Sequence, residues 1–169
     1  MADTKKASNA APTMPVTFYA QYVRDLSFEN PKAPETLRVG QTAPQMGISL
    51  NMDSRKLGNP QIPDLHEVIM RLRATAKRDE ETVFVVEIEY GITVSLNGAP
   101  EEFHKPLLFI EVPKLAFPYI RKILADMAVN GGYPPIMLQP IDFYAMYVAK
   151  NGQPGKNMPQ AVEQQAAAS

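Results

Sequence analysis

The chain has 169 residues, a formal net charge of −1 and no cysteine, so it is long enough for one domain that buries roughly 70% of its unfolded surface without disulfides or thiolate metal sites. Its basic residues are scattered, which argues against a nucleic-acid partner, since phosphate binding needs clustered Lys and Arg. The N-terminal MADTKKASNAAPT has no apolar segment behind its lysines and no stretch reaches the ~20 apolar residues of a membrane span, so a soluble, cytoplasmic chain with no direct membrane insertion is expected.

Residues 1–14 are small and polar, and residues 151–169 are rich in Gly, Pro, Gln and Ala without apolar periodicity. Both read as disordered tails around a folded unit of residues 15–150. Alternation over 16–28, with Phe18, Ala20 and Tyr22 against Thr17, Tyr19, Gln21 and Val23, predicts a first strand. Residues 30–43 carry Pro31 and Pro34 and no stable period, so they form a long crossover. Met46, Ile48, Leu50 and Met52 then alternate with Gly47, Ser49, Asn51 and Asp53 in a short second strand.

Beyond a loop with Gly58, Asn59, Pro60 and Pro63, residues 65–77 set Val68, Met70, Leu72 and Ala74 against Glu67, Ile69, Arg71 and Arg73, a third strand. A polar turn at 78–81 leads to a fourth, 82–96, with Phe84, Val86, Ile88, Tyr90, Ile92 and Val94 on one face and Val85, Glu87 and Glu89 on the other. Arg71, Arg73, Lys77 and Arg78 gather on the third strand, and Asp79, Glu80 and Glu81 are expected to offset them across the hairpin. Asn97-Gly98 ends the strand, and residues 101–114 give mixed signals.

A helix follows over 117–130, with Pro118 in its opening turn, Ile120, Ile123, Leu124, Met127 and Ala128 as its apolar stripe, and Gly131 as a left-handed cap. The connection 132–140 is rigid yet apolar, with Tyr133, Ile136, Met137 and Leu138 among three prolines, and needs a partner or a groove wall. Asp142 is placed to cap a last helix whose Phe143, Tyr144, Met146, Tyr147 and Val148 nearly surround it. Strands first and helices last predict an α+β domain, an antiparallel sheet with two C-terminal helices.

Signs of catalysis are few. His66 and His104 have no HxxxH or HxH partner and read as surface histidines. Glu80, Glu81, Glu87 and Glu89 read as solvated carboxylates on a turn and an open face. The glycines form no phosphate cradle, so nucleotide-driven work is not expected. Methionine at 46 and 137 suits an adaptable binding surface. Two competing readings are a small α+β isomerase or hydratase, favoured by a buried pocket holding both histidines, and a carrier of a small apolar ligand, favoured by a closed cavity.

FPYIRKILADM, a glycine turn, a tyrosine-proline pair and LQPIDFYAMY closely resemble the C-terminal half of the SecB family of bacterial export chaperones. RDLSFENPKAP and DEETVFVVEIEYG resemble two further family segments in the same order. The resemblance implies a SecB-like four-stranded antiparallel sheet with two helices, assembled as a homotetramer (a dimer of dimers). It implies an ATP-independent holdase without cofactor that keeps precursor proteins unfolded and passes them to the SecA motor. Residue by residue, it implies a precursor groove at Met46, Ile48, Leu50, Phe143 and Tyr147, and a SecA-docking surface at Asp25, Glu29, Val85 and Glu87. Its tetramer interface involves Val86, Ile88, Ile123, Leu124 and Met127, with the helix 117–130 between dimers. The chain departs from the family at Thr42, where a Trp is frequent, and in NMDSRKLGNPQIPDL, which matches poorly.

Overall fold

The structure, a computed structural model, describes residues 14–154. Four strands, β1 (Thr17–Glu29), β2 (Gln45–Lys56), β3 (Leu65–Arg78) and β4 (Glu81–Ser95), form one antiparallel sheet in the order β1-β4-β3-β2, followed by helices α1 (Val112–Asn130) and α2 (Phe143–Asn151). This is the architecture expected from the sequence. Met14 is half-buried against the core, Asn151 is the last residue of α2 and residues 152–154 follow it without regular structure; residues 1–13 and 155–169 of the expected tails lie outside the described chain.

The hairpin organises the sheet. Asp79 and Glu80 both take positive φ, +45° and +65°, the two-residue geometry whose twist matches paired strands. β3 and β4 are therefore central, and β1 and β2 fall on opposite edges, so the crossover between them spans the sheet. β2 is twelve residues long rather than short, because its pairing with β3 continues from Met46 through the polar residues Asp53, Ser54 and Arg55, opposite Ile69, Val68 and Glu67.

β1 corrects a second expectation. Residues directly opposite each other share a sheet face, and Phe18 pairs with Val94, yet Gln21 pairs with Ile92 and Tyr22 with Gly91. An irregularity between Phe18 and Ala20 reverses the alternation. Tyr22 consequently lies on the face opposite Phe18, over Gly91, where any added Cβ would collide with its ring.

The core lies between the sheet and α1. Val68, Met70, Leu72, Ala74 and Ala76 of β3 and Phe84, Val86, Ile88, Ile92 and Val94 of β4 are buried against Ala116, Phe117, Ile120, Leu124 and Ala128 of α1. Each large aliphatic side chain so placed contributes about 1.5–3 kcal/mol relative to exposure.

Helical structure begins earlier than 117. A 3-10 turn, Glu101–Phe103, an α turn, His104–Pro106, and a π turn, Leu107–Glu111, run directly into α1. The π turn pairs each carbonyl with an N–H five residues on, which helps a rod accommodate Pro113 in the next turn. Pro118 accordingly sits inside the helix rather than at its start. The cap also shifts by one position: Gly131 has φ −79° and Gly132 φ +86°. Tyr133 N–H donates to Ala128 O at 3.0 Å and Gly132 N–H to Val129 O at 3.0 Å, a Schellman closure. Gly131 is needed for another reason, since the ring of Phe28 occupies the space its Cβ would take.

Candidate binding surfaces

Register places Met46, Ile48, Leu50 and Met52 opposite Ala76, Ala74, Leu72 and Met70, on the face that carries α1. α1 lies mainly over β4, and this edge stays open: Met46 and Ile48 are 38% and 39% exposed while Leu50 is half-buried. α2 lies alongside. Asp142 caps it by accepting from Ala145 N at 2.9 Å. Phe143 is buried edge-on against Phe117, with ring centroids 5.7 Å apart, and anchors the helix. Tyr147, largely buried, meets Leu50 in a partly enclosed cavity of about 290 Å³, whose wall also includes Phe109 and Met146. The structure thus brings Leu50 and Tyr147 together, extends them along β2 to Ile48 and Met46, and keeps Phe143 beneath as support.

In the connection to α2, Met137 is 72% exposed, whereas Tyr133 is buried and Ile136 and Leu138 are half-buried. Tyr133 stacks on Phe84 at 4.6 Å, and its hydroxyl contacts Asn30 Oδ1 at 2.9 Å and Thr36 Oγ1 at 2.8 Å. Asn30 Nδ2 in turn donates to Gly131 O at 3.3 Å. Thr42 lines a polar cavity of about 620 Å³ under the crossover with Lys32, Gln41, Arg78 and Glu81. There Arg78 Nε donates to Thr42 O at 2.8 Å, its Nη1 bonds Gln41, and Lys32 pairs with Glu81 at 2.5 Å.

The other face of the sheet is open and charged. Asp25 pairs in register with Glu89, Glu29 with Val85, and Ser27 with Glu87, so Asp25, Glu29, Val85 and Glu87 share this face. Val85 is only 8% exposed. Asp25 and Glu29 are exposed and form no ion pair among the described residues, but Glu87 is bound by Arg73, and Glu89 by Arg71 at 3.2 Å and Arg24 at 3.7 Å. Arg71 also reaches Asp53 at 2.5 Å. Of the basic group on β3, Arg71 and Arg73 are thus offset by carboxylates of β2 and β4 rather than by the hairpin turn, Arg78 binds the crossover instead, and Glu81, Glu87 and Glu89 are paired rather than simply solvated.

Beside this patch lies a buried carboxylate that alternation alone does not single out. Glu67 is buried to 3% exposure; Tyr22 OH donates to its Oε1, Arg55 Nε donates to Oε2 at 2.5 Å, and Arg24 stands 3.7 Å away. Burial acts to raise its pKa, but the hydrogen bonds of Tyr22 and Arg55 and the charges of Arg55 and Arg24 outweigh it and hold the carboxyl below its ordinary value. Tyr22 is pushed up by its own burial and then by Glu67. The signal for this arrangement was Gly91 in mid-strand.

Of the residues expected between dimers, Val86, Ile88 and Leu124 are sealed within the protomer's own core, at 0%, 2% and 0% exposure. Ile123 and Met127 are half-buried on the flank of α1, near exposed Leu115 and Tyr119. The solvent side of α1 carries the ion pair Lys122–Asp126 at 2.5 Å.

The histidines are not independent surface residues. His66 is 9% exposed and packs edge-on against His104 at 5.7 Å; its Nε2 has no hydrogen-bond partner among the described residues, while His104 Nε2 meets Ala99 O at 3.0 Å. Burial, then the charges of His104 and Lys56, push the His66 imidazole down against the pull of Asp64. Neither histidine lines any cavity described above, and among the described residues no group of three His, Cys, Asp or Glu could hold a metal. No described helix is long and apolar enough to cross a membrane.

A sheet sealed by helices on one face, charged on the other and open along an apolar edge defines an α+β binding module. The same fold occurs in the SecB-like chaperone of Mycobacterium tuberculosis, solved with a ChAD peptide from the HigA1 antitoxin, with a TM-score of 0.57 over 75% of this chain and 90% of that one at 14% identity. The model of preprotein translocase subunit SecB matches residues 8–154. Proteins named protein-export protein SecB are similar over most of the chain. That of Maricaulis maris is 44% identical over 85% of this chain and 82% of its own, and that of Caulobacter sp. strain K31 is 41% identical over 90% and 94%. The chain belongs to the SecB family of protein-export chaperones.

Proposed function

We propose that the chain is an ATP-independent holdase that keeps precursor proteins unfolded in the cytoplasm and delivers them to SecA, working as a homotetramer and without catalysis or a cofactor. The observation that carries this reading is the uncovered apolar run Met46–Ile48–Leu50 on β2, continuous with the half-enclosed cavity at Tyr147. Monomeric solubility does not favour such a run, and an extended client would cover it. A peptide bound to the mycobacterial SecB-like chaperone supports the same use here. The exposed carboxylates Asp25 and Glu29, with Glu87 beside them, support docking of a basic partner on the opposite face, away from clients. The exposed flank of α1 around Ile123 and Met127 offers the contact between dimers, with Val86, Ile88 and Leu124 as its buried floor.

The test is binding of a denatured precursor without nucleotide. Each subsite supplies little after ordering costs, so long unfolded chains should bind far more tightly than short peptides. Ile48→Asp should weaken both; a nucleotide requirement, or equal affinity for long and short chains, would sink the reading.

A further inference from the structure

His66 stands at the start of β3, in register with Lys56 of β2 and Val94 of β4. Its buried Nε2 has no partner among the described residues. A neutral imidazole can leave that nitrogen as a bare lone pair, but an imidazolium must present an N–H there, a charged donor with nothing to accept it. The neighbours add to this cost. His104 packs edge-on against the ring from the segment 97–106, and its Nε2–H donates to Ala99 O within that segment. Lys56 faces His66 from β2, and its charge, like that of His104, opposes a proton on the ring. Asp64 pulls the other way, yet its carboxylate is already bound by Lys56 at 2.7 Å, and Glu101 acts on Lys56. The segment's remaining charged side chains, Glu101, Glu102 and Lys105, are exposed, and its other anchors, Ala99 and Phe103, pack on the core and do not titrate.

We infer that the contact between His66 and His104 is an acid-released clasp, which seats residues 97–106 on the start of β3 while both rings are neutral and frees them when His66 takes a proton. Histidine suits this use because its ordinary pKa, about 6.5, lies where modest acidification changes its charge. With the segment seated, burial and like charge hold His66 below that value; with the segment released, the ring regains it. The released form therefore binds more protons, so the clasp is at full strength above about pH 6.5 and weakens as pH falls from there toward the seated value. Lys105, next to His104, lines the cavity beside α2, so release alters one wall of that cavity, whatever occupies it.

The experiment uses the full chain, whose two histidines give two imidazole proton signals in an NMR titration, assigned with a His104→Gln variant. His66 should titrate below about 6.5, and its midpoint should rise in His104→Gln. Hydrogen exchange read by mass spectrometry, corrected for the intrinsic effect of pH, then reports the opening of residues 97–106 at about pH 7.5 and about pH 5.5. Opening should increase about three- to ten-fold on acidification in the parent, the scale of a pKa lowered by about one unit, while β4 stays protected and His66→Gln shows no such increase. A His66 midpoint at or above about 6.5, or the same pH response in parent and His66→Gln, overturns the inference. If His66→Gln does not fold, His104→Gln decides: with the like charge gone its opening should respond less to pH than the parent's, and an equal response overturns the inference.

Discussion

On the helical side of the sheet the buried carboxylate of Glu111 leaves Oε1 without a hydrogen-bond partner among the described residues, while on the open side the equally buried Glu67 is held by Tyr22, Arg55 and Arg24. Burial alone raises the Glu111 pKa against the nearby charge of Lys114; the same burial is overcome at Glu67, whose pKa falls. Exposure alone therefore does not say what a buried charge does for stability. Its partners do. The helical face is kept together by dry aliphatic packing, the open face by a connected set of ions.

The largest expected effect breaks the helical face. Leu124→Asp puts a charge between α1 and β4, with a loss of roughly 4 kcal/mol or more, a large part of a domain's total stability. Denaturant unfolding should show a chain near or below its folding threshold. Ile123→Asp, on the exposed flank, should leave the fold intact and be read by sedimentation as dissociation to dimers; a stable Ile123→Asp tetramer would remove this flank from the interface.

Next in size is Gly91→Ala on the open face. The methyl must displace the Tyr22 ring and release its hydroxyl from Glu67, so a loss of about 2–3 kcal/mol is expected in thermal unfolding. If Tyr22→Phe made Gly91→Ala no milder, the hydroxyl would not be part of that cost.

The two carboxylates should then respond to pH with opposite signs. Glu67 has a depressed folded pKa, so its stabilisation is present above the unfolded value of about 4.3 and is lost as pH falls through the folded value. Glu111 has a raised one, so its contribution is complete below the unfolded value and disappears as pH rises through the folded value. Near neutral pH, Glu67→Gln should therefore cost about 1–2 kcal/mol and Glu111→Gln should be neutral or stabilising. Denaturant midpoints at pH 4 and pH 7 for the two variants check this, and parallel changes would refute it.

The smallest effect sharpens the reading of the open face. Arg73 holds Glu87, so a basic partner must take that carboxylate from it. Arg73→Gln should strengthen SecA binding a few-fold, the scale of an exposed ion pair, with client binding unchanged. Weaker SecA binding would make Arg73 a contact rather than a competitor.

Much of this fold was legible because two simple periods carried it. β3 and β4 alternate without interruption over most of their length, and Ile120, Leu124 and Ala128 repeat at helical spacing. That Met46, Ile48 and Leu50 share one face of β2 followed from the same period, their part in a groove only from the family resemblance, and Asp142 as a cap from its side-chain chemistry. What failed had local physical causes. Two irregularities in β1, the first reversing the faces of Ala20 to Val23 and the second restoring the original alternation, escape any alternation count. The residues 101–114 mix 3-10, α and π hydrogen bonding, so no single period describes them. Partnerships were also hidden: Glu67 looked like an ordinary polar alternate, and His66 and His104, 38 positions apart in sequence, gave no sign that they would touch.

The ring of Tyr133 rests on Phe84 while its hydroxyl holds Asn30 and Thr36, and Asn30 returns to the carbonyl of Gly131. The crossover and the tail end of α1 are therefore riveted to the same point on the central strand. A load applied to the crossover cannot be relieved by that loop swinging alone; it is transmitted to the glycine joint and along the helix axis. Mechanically, the crossover end of the apolar β2 run and the helix whose flank faces outward behave as two arms of one lever, with Phe84 as fulcrum.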